Sequence, residues 1–200
     1  MIVVGLTGSI AMGKTETAKI LRSLGIAVFD SDADVHEMYR SDRSVIERIA
    51  ELVPSAEVDG TIDRQRLSKA ISEVPETLQA IETIVHPAVR KHQNAFLERS
   101  RLEGRTMAVL DIPLLYESGQ AGRFDKIMVV SAPEDVQRKR ALSRPGMTPE
   151  KLEFILSRQT PDCEKRRRAD YVIDTSKGLD DARRQVEEII RDINSSQGQR

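Results

Sequence analysis

The sequence has few residues that could form covalent cross-links or a metal cluster. Its 200 residues include one cysteine, Cys163, and no tryptophan, and aromatic residues make up 4% of the chain. A single cysteine excludes an internal disulfide and a cysteine-based metal cluster. We therefore expect the fold to depend on an apolar core, for which 39% hydrophobic residues in one domain are sufficient.

The chain also lacks an excess of charge of one sign and long apolar runs. Its formal net charge is −1, so no overall basic field favours binding to nucleic acid. No apolar run approaches the roughly 20 residues that span a bilayer. The first residues do not combine a basic region with a long apolar segment, as a signal peptide would. We expect a cytoplasmic protein, a monomer or weak homo-oligomer, with no nucleic-acid or membrane partner.

Short apolar, β-branched segments alternate along the chain with helical patterns. This alternation predicts an α/β fold in which helices cover both faces of a five-stranded parallel sheet. The predicted strands are Ile2–Thr7, Ile26–Phe29, Thr106–Ile112, Lys126–Ser131 and Tyr171–Asp174.

One connection is too long for a simple crossover helix. Residues 34–103 show helical patterns punctuated by prolines and Gly60, and we expect them to form an inserted all-helical domain. The apolar spacing near the C-terminus predicts a final amphipathic helix, followed by a disordered tail. The remaining predicted boundaries are a core of 1–33, 104–137 and 159–194, and a tail of 195–200.

The most specific pattern follows the first predicted strand. The segment from Gly8 to Thr15 fits G-x-x-x-x-G-K-[ST], the phosphate-binding loop of nucleoside triphosphate enzymes. Lys14 is expected to reach the β- and γ-phosphates, and the Thr15 hydroxyl to bind Mg²⁺. Ala11 costs nothing in this loop if its φ is negative. The candidate ATP-binding residues here are Gly8, Ala11, Met12, Gly13, Lys14, Thr15 and Glu16.

Acidic residues follow two of the predicted strands. Asp30, Asp32 and Asp34 come after the second strand, where ligands bind beyond the carboxyl ends of parallel strands. One of them is a candidate general base for a hydroxyl acceptor, and the alternative role is capping of a helix. Asp111 ends the third strand and is a candidate ligand of Mg²⁺, directly or through water.

Basic residues cluster in the last third of the chain. We expect a small helical lid at 138–158, with Pro145-Gly146 as its turn, and Arg140 and Arg144 as lid arginines that stabilise charge on the transferred group. The run from Lys165 to Arg168 is expected to be a solvated surface.

Several motifs, taken in order, make the chain resemble the dephospho-CoA kinase family. The resemblance extends from Ile2 to Ile193. Besides the phosphate loop, it is carried by Val28-Phe29-Asp30-Ser31-Asp32, Val85-His86-Pro87-Ala88-Val89-Arg90, Asp111-Ile112-Pro113-Leu114-Leu115-Tyr116-Glu117, Gln137 to Arg140 with Arg144, Arg158-Gln159 and Ala169-Asp170-Tyr171-Val172-Ile173-Asp174.

This resemblance implies a P-loop kinase core with a helical substrate domain and a small lid. The implied activity is transfer of the γ-phosphoryl of MgATP to the ribose 3′-hydroxyl of dephospho-coenzyme A, the last step of coenzyme A synthesis. Asp32 would be the general base, with Lys14 and Arg140 also catalytic. The residues expected around the acceptor are Asp32, His36, His86, Arg90, Leu114, Leu115 and Glu117.

A few positions depart from the family pattern or allow two interpretations. His36 stands where many family members have arginine, and Asp34 where an acid is unusual, which favours a helix cap for Asp34. His86 either binds the acceptor or closes a turn before a proline, and Tyr116 either stacks on adenine or belongs to the core. His92 is expected on an exposed helix face.

Two other functions are compatible with the phosphate loop alone. One is a kinase for a nucleoside or nucleoside monophosphate, whose acceptor pocket would ignore a pantetheine arm. The other is a nucleotide-dependent switch or ATPase without a small-molecule acceptor, which would not explain the insertion beside Asp32.

Overall fold

The computed structural model describes residues 1–197, and these form two compact units. The first unit consists of Met1–Phe29 and the chain from Ser100 onward, and the second consists of Asp30–Arg99. Both boundaries of the second unit fall a few residues earlier than those the sequence indicates, 34 and 103.

Strands and helices alternate along the first unit, as the sequence predicts, and the second unit adds helices and two short strands. The strands are β1 (Ile2–Thr7), β2 (Ala27–Asp30), β3 (Glu57–Val58), β4 (Thr61–Ile62), β5 (Met107–Asp111), β6 (Lys126–Ser131) and β7 (Tyr171–Asp174). The helices are α1 (Lys14–Ser23), α2 (Ser31–Ser41), α3 (Arg43–Leu52), α4 (Arg64–Glu73), α5 (Glu76–Leu102), α6 (Glu134–Leu142), α7 (Pro149–Ser157), α8 (Asp162–Arg168) and α9 (Leu179–Gln197). Short 3-10 turns occur at Pro54–Ala56 and Ala121–Arg123.

The first unit is built on a five-stranded sheet in the order β2-β5-β1-β6-β7. The pairs β1–β5, β1–β6 and β6–β7 are parallel. Because both faces of such a sheet are covered, its strands are continuous apolar runs rather than alternating ones. The core includes Val4 and Val109 from the sheet, Leu21 from α1 and Val186 from α9. The predicted α/β fold is confirmed.

The turn after α1 shows how local sequence directs the chain into the sheet. Gly25 has a φ of 80°, which glycine adopts without strain. Its N–H donates to the carbonyl of Arg22, and the N–H of Ile26 donates to the carbonyl of Leu21. This pair of bonds is the Schellman ending of a helix, and it leads directly into β2.

The last helix is longer than the sequence indicates. Its apolar face packs on the sheet as predicted, but α9 continues to Gln197. The predicted disordered tail was therefore wrong for its first three residues. The hydroxyls of Ser195 and Ser196 both donate to the carbonyl of Asp192, which satisfies that carbonyl near the helix end. The rest of that tail, 198–200, lies outside the described residues.

The second unit has an apolar core of its own. Met38 of α2, Ile49 of α3, Leu67 of α4 and Ile84 of α5 belong to one buried cluster. Each such side chain stabilises the unit by about 1.5–3 kcal/mol through removal of apolar surface from water. The turn before Pro87, one of the two interpretations of His86, is absent, because both residues lie inside the 27-residue helix α5.

A small antiparallel ribbon departs from the expectation of an all-helical insertion. Strands β3 and β4 pair Glu57 with Ile62 and Val58 with Thr61. The two residues between them, Asp59 and Gly60, have φ values of 50° and 75°. Positive φ at both central positions is the signature of a type I′ hairpin turn, for which Asp-Gly is a favoured sequence.

Across residues 1–197, none of the helices has both the length and the apolar character needed to cross a membrane.

Candidate active site

Packing requires both motif glycines of the loop between β1 and α1. A Cβ added to Gly8 would lie 2.3 Å from Val130 Cγ2 and 2.8 Å from the carbonyl oxygen of Val130. Gly13 has a φ of 98°, and a Cβ there would lie 3.0 Å from Thr175 Oγ1. The loop therefore lies directly against the ends of β6 and β7, with no room for side chains at these positions.

Ala11 has a strained backbone, contrary to the condition under which alanine costs nothing. Its φ is 61°, in the left-handed region that alanine rarely adopts. The Ala11 side chain is buried in a small cluster with Ala141 of α6 and Leu152 of α7. Burial of the methyl group between these helices offsets part of the backbone strain.

Lys14 and Asp111 form the central ion pair of the site. Lys14 Nζ lies 2.6 Å from Asp111 Oδ1, and the Asp111 side chain is 3% exposed. The phosphate loop supplies the lysine and the end of β5 supplies the carboxylate, so neighbouring parallel strands bring them together.

The start of α1 presents polar groups to solvent next to this pair. Thr15 and Glu16 are exposed in its first turn, where Glu16 Oε1 accepts from Lys19 Nζ at 2.8 Å. The first N–H groups of a helix have no partner within it, and they carry a partial positive charge. These donors, with Lys14, form a site suited to phosphate.

Helix α6 and the segment after α7 hold the loop through side chains that the sequence did not single out as site residues. Gln137 Nε2 donates to the carbonyl of Ile10 at 2.8 Å, and the N–H of Ile10 donates to Gln159 Oε1 at 3.0 Å. The side chain of Met12 is buried, and its Sδ accepts from the N–H of Ala132. Met12 can therefore contact a nucleotide only through its backbone.

The two predicted lid arginines have different environments. Arg140 donates from Nη1 to Thr175 Oγ1 at 2.9 Å and from Nη2 to the carbonyl of Thr175 at 2.7 Å. Thr175 Oγ1 in turn donates to the carbonyl of Met12 at 2.7 Å. Arg140 is thus connected to the phosphate loop through one residue, whereas Arg144 is exposed.

The segment after β5 contains both exposed and fully buried residues. Leu114 is 47% exposed, but Leu115 is buried and would lie 2.6 Å from a Cβ on Gly5. Tyr116 is also buried, with the guanidinium of Arg168 4.3 Å from its ring centre. The core interpretation of Tyr116 therefore fits the structure, and Leu115 is positioned as a core residue.

Glu117 and Lys165 form a buried ion pair, so the expectation of a solvated run from Lys165 to Arg168 was wrong at its first residue. Lys165 is 0% exposed, and its Nζ lies 2.9 Å from Glu117 Oε1. The same oxygen accepts from the N–H of Thr160 at 2.8 Å. Helix α8 turns one of its four consecutive basic residues inward, one helical turn after Asp162.

The ionisation of Glu117 follows from these contacts. Burial opposes its charged form, but hydrogen bonds from Lys165, from its own backbone and from the N–H of Thr160 outweigh that cost. The pKa of Glu117 therefore lies below its usual value.

The acidic cluster lies at the start of the second unit. Asp30 is the N-cap of α2 and accepts from the N–H of Ala33 at 3.0 Å, while Asp32 is exposed in the first turn. The predicted cap role of Asp34 was wrong, because Asp34 Oδ1 instead lies 2.9 Å from Nδ1 of His92. For the same reason His92 is partly buried rather than exposed.

Two contacts join the first turns of α2 to α5 within the second unit. Besides the pair of Asp34 and His92, the buried Gln93 Nε2 donates to Ser31 Oγ at 3.2 Å. Each of these two helices also carries a pair of exposed candidate acceptor-binding residues. The members of each pair lie on one face of their helix, one turn apart, because they are four residues apart in sequence. They are Asp32 and His36 on α2, and His86 and Arg90 on α5.

Comparison with known proteins identifies the family. A family model described as Dephospho-CoA kinase matches residues 2–181. A curated relative named Dephospho-CoA kinase, from Agrobacterium fabrum, is 50% identical over 193 residues, covering 96% of this chain and 98% of the relative. The chain belongs to the dephospho-CoA kinase family. The resemblance inferred from its motifs is thereby confirmed.

Two solved structures share the fold of this dephospho-CoA kinase family member. A crystal structure from Thermus thermophilus superposes with a TM-score of 0.81 at 35% identity, covering 96% of this chain and 97% of that one. The structure titled as dephospho-CoA kinase from Campylobacter jejuni has a TM-score of 0.73 at 24% identity and covers 98% of both chains. The latter similarity supports the fold.

No function was predicted from the sequence for several residues that organise the site in this dephospho-CoA kinase family member. Gln137 and Gln159 were noticed only as parts of motifs, and Thr175 was not noticed at all. No local pattern marks a glutamine that bonds to a distant backbone. For Lys165 a signal was available. It lies three residues after Asp162 on a short helix, and this spacing indicates that the two side chains share one face of the helix.

Proposed function

We propose that this protein transfers the γ-phosphoryl group of ATP to the ribose 3′-hydroxyl of dephospho-coenzyme A, releasing ADP. The observation that carries the proposal is the phosphate loop with Lys14 Nζ 2.6 Å from the buried carboxylate of Asp111. Membership of the dephospho-CoA kinase family supports the acceptor.

The residues beside the loop fit a requirement for Mg²⁺. Among residues 1–197 there is no group of three or more histidine, cysteine or acidic residues that could hold a metal by itself. Mg²⁺ normally binds one or two protein oxygens together with water and substrate phosphates. Thr15 and Asp111 would hold it here, and the ion would neutralise charge on the β- and γ-phosphates.

The loop and the start of α1 would bind ATP. In this proposal the backbone from Gly8 to Glu16 surrounds the phosphates, and Lys14 shifts from Asp111 toward the γ-phosphate when nucleotide binds. The left-handed φ of Gly13 supports this role, because turns of this kind direct successive backbone N–H groups at an anion. The close packing of Gly8 on Val130 holds the other end of the loop in place.

The arginines would act on the transferred group. Arg140 uses Nη1 and Nη2 on Thr175, and a guanidinium has five N–H donors, so further donors exist for a phosphate oxygen. Arg144 is exposed in the turn after α6 and would assist from the lid over 138–158.

The acceptor would be bound mainly by exposed side chains. We assign Asp32 as the general base that takes the proton of the 3′-hydroxyl. His36, His86 and Arg90 are exposed and suited to the polar part of the acceptor, and Leu114 to its apolar part. Leu115 and Glu117 are buried or ion-paired, so they would act indirectly, by holding the segment that carries Leu114.

The substitution Asp32→Asn tests the assigned chemistry. Loss of the base should lower kcat by roughly 10²- to 10⁴-fold. The affinity for ATP should stay within about twofold, because the assigned nucleotide contacts are elsewhere. The product is identified as coenzyme A by chromatography, so that hydrolysis of ATP is not counted as transfer.

Asp34→Asn is the matched control for this experiment. It removes a carboxylate two positions away that is bonded to His92 and has no assigned catalytic role. It should keep kcat within a few-fold of the wild type. Loss of ATP affinity in Asp32→Asn, or equal losses of kcat in both variants, would contradict the assignment of Asp32 as the base.

A further inference from the structure

Two glutamines hold one residue of the phosphate loop by both of its backbone groups. The N–H of Ile10 donates to Gln159 Oε1 at 3.0 Å, and its carbonyl accepts from Gln137 Nε2 at 2.8 Å. Both groups are partly buried, and their partners are side chains distant in sequence. These bonds fix the orientation of the peptide groups on both sides of Ile10.

The residue after Gln159 is itself held by a buried charge pair. The N–H of Thr160 donates to Glu117 Oε1 at 2.8 Å, and Lys165 Nζ lies 2.9 Å from the same oxygen. A continuous series of contacts therefore runs from Lys165 through Glu117 and Thr160 to Gln159, and from there to Ile10.

Stability alone is a poor explanation for this lysine. Lys165 is 0% exposed, and removing an ammonium group from water is costly even when it is paired. An apolar pair of similar volume is often as stable as a buried ion pair. We propose that Lys165 is a positioning residue for the phosphate loop, acting through Glu117, Thr160 and Gln159 on the backbone of Ile10.

The positioning acts on nucleotide binding. Ile10 and Ala11 pack against Ala141 and Leu152 of helices α6 and α7, so the two glutamines and this apolar cluster hold the loop together. The bond from the Ile10 N–H to Gln159 restricts the orientation of the loop that leads into α1, whose first N–H groups would bind the phosphates in the proposed function. Loss of this order weakens ATP binding and leaves binding of the acceptor unchanged.

The test compares ATP affinity in variants of the full chain, by calorimetry without acceptor. Lys165→Met should raise the Kd for ATP by about 3- to 10-fold, the equivalent of one weakened hydrogen bond. The KM for dephospho-coenzyme A should change by less than about twofold. Arg167→Met alters an exposed residue on the same helix and should leave both constants unchanged.

A paired substitution covers the case in which Lys165→Met does not fold. The variant Glu117→Leu with Lys165→Met removes both charges and retains apolar volume, so it should fold while the Thr160 N–H loses its acceptor. It should show the same rise in Kd. A Kd equal to that of the wild type in this folded variant would overturn the proposal.

Combination with Gln159→Leu tests the route of the effect. If Lys165 acts through Gln159, Gln159→Leu should raise the Kd by a similar factor, and adding Lys165→Met should raise it no further. Multiplication of the two effects would overturn the proposal.

The measurement of KM for dephospho-coenzyme A rests on the proposed function, but the Kd for ATP is measured without acceptor and does not. A wild type that binds ATP and does not phosphorylate dephospho-coenzyme A would contradict the function alone.

Discussion

Ala11 illustrates what a residue type alone does not reveal. Its φ of 61° costs an L-amino acid about 1–2 kcal/mol relative to ordinary backbone. A residue name carries no φ value, and the motif allows any residue at this position, so only the structure shows the strain. The loop keeps its shape because Ala11 is buried between Ala141 and Leu152.

We predict that Ala11→Gly is nearly neutral for stability. Relief of about 1–2 kcal/mol of strain should be offset by about 0.8 kcal/mol for the lost methyl group and 0.4–1 kcal/mol for the more flexible unfolded chain. Urea unfolding should therefore give a free energy of unfolding within about 1 kcal/mol of the wild type.

Ala18→Gly is the control for this prediction. Ala18 is also buried, but it lies inside helix α1, so no strain is relieved there. The variant should lose about 1–2 kcal/mol through the methyl group and helix propensity. Equal losses in the two variants would show that Ala11 is not strained in solution.

Glu117 gives a pH-dependent contribution to stability. Its folded-state pKa lies below the ordinary value of 4.5, so the contribution is fully present above that value and is lost as pH falls through the folded pKa. Glu117→Gln should lower the free energy of unfolding by about 3 kcal/mol near neutral pH, because Lys165 stays buried without its counter-charge. The difference from wild type should be constant near neutrality and shrink below pH 4.5.

The matched variant is Glu187→Gln, at an exposed glutamate that pairs with Arg183 on α9. Such surface pairs contribute about 0–1 kcal/mol, so little change is expected at any pH. A difference between Glu117→Gln and wild type that stayed the same at every pH down to acid unfolding would contradict the assigned protonation behaviour of Glu117.

Strands and helices were predicted well where the local sequence pattern determines them. They were predicted less well where contacts with distant residues determine them. The strands of the sheet follow from short apolar segments, and the end of α1 follows from Gly25. The β3–β4 ribbon was missed because its strands are two residues long, although Asp59-Gly60 is a hairpin signal. A turn before Pro87 was considered from the sequence, yet α5 continues through this proline, and Val85 and Val89 on either side of it belong to or pack against the apolar cluster of the second unit.

The junction of α6, β7 and the phosphate loop gives a prediction for the elements together. Thr175 Oγ1 accepts from Arg140 and donates to the carbonyl of Met12, so Thr175→Val removes both bonds with little change of volume. Because the buried Met12 carbonyl would then lack its donor and Arg140 Nη1 its acceptor, the variant should lose about 1–3 kcal/mol in the free energy of unfolding, measured in urea.

Thr83→Val supplies the comparison, because Thr83 is exposed on α5 and its hydroxyl donates to the nearby carbonyl of Ala80. Its free energy of unfolding should stay within about 0.5 kcal/mol of the wild type. If Thr175→Val were equally harmless, the junction would not depend on this hydroxyl.

For the molecule as a whole, ordered motifs were more informative than any single feature. The phosphate loop predicted nucleotide chemistry. Together with the motifs that begin at Val85 and at Asp111, it predicted the family that the comparisons show. Composition and charge only excluded classes. Partners distant in sequence, such as Glu117 with Lys165 and Ile10 with Gln159, could not be predicted, because neither pattern nor period relates them.

The measurement that tests the central claim most directly is the initial rate of ADP release with MgATP in the presence of different acceptors. Purified protein is compared without acceptor, with dephospho-coenzyme A, with adenosine and with the common nucleoside monophosphates. We predict strong stimulation by dephospho-coenzyme A alone, with coenzyme A formed in equal amount to ADP. Stimulation by a nucleoside or nucleoside monophosphate instead, or a rate that no acceptor changes, would contradict the proposed function.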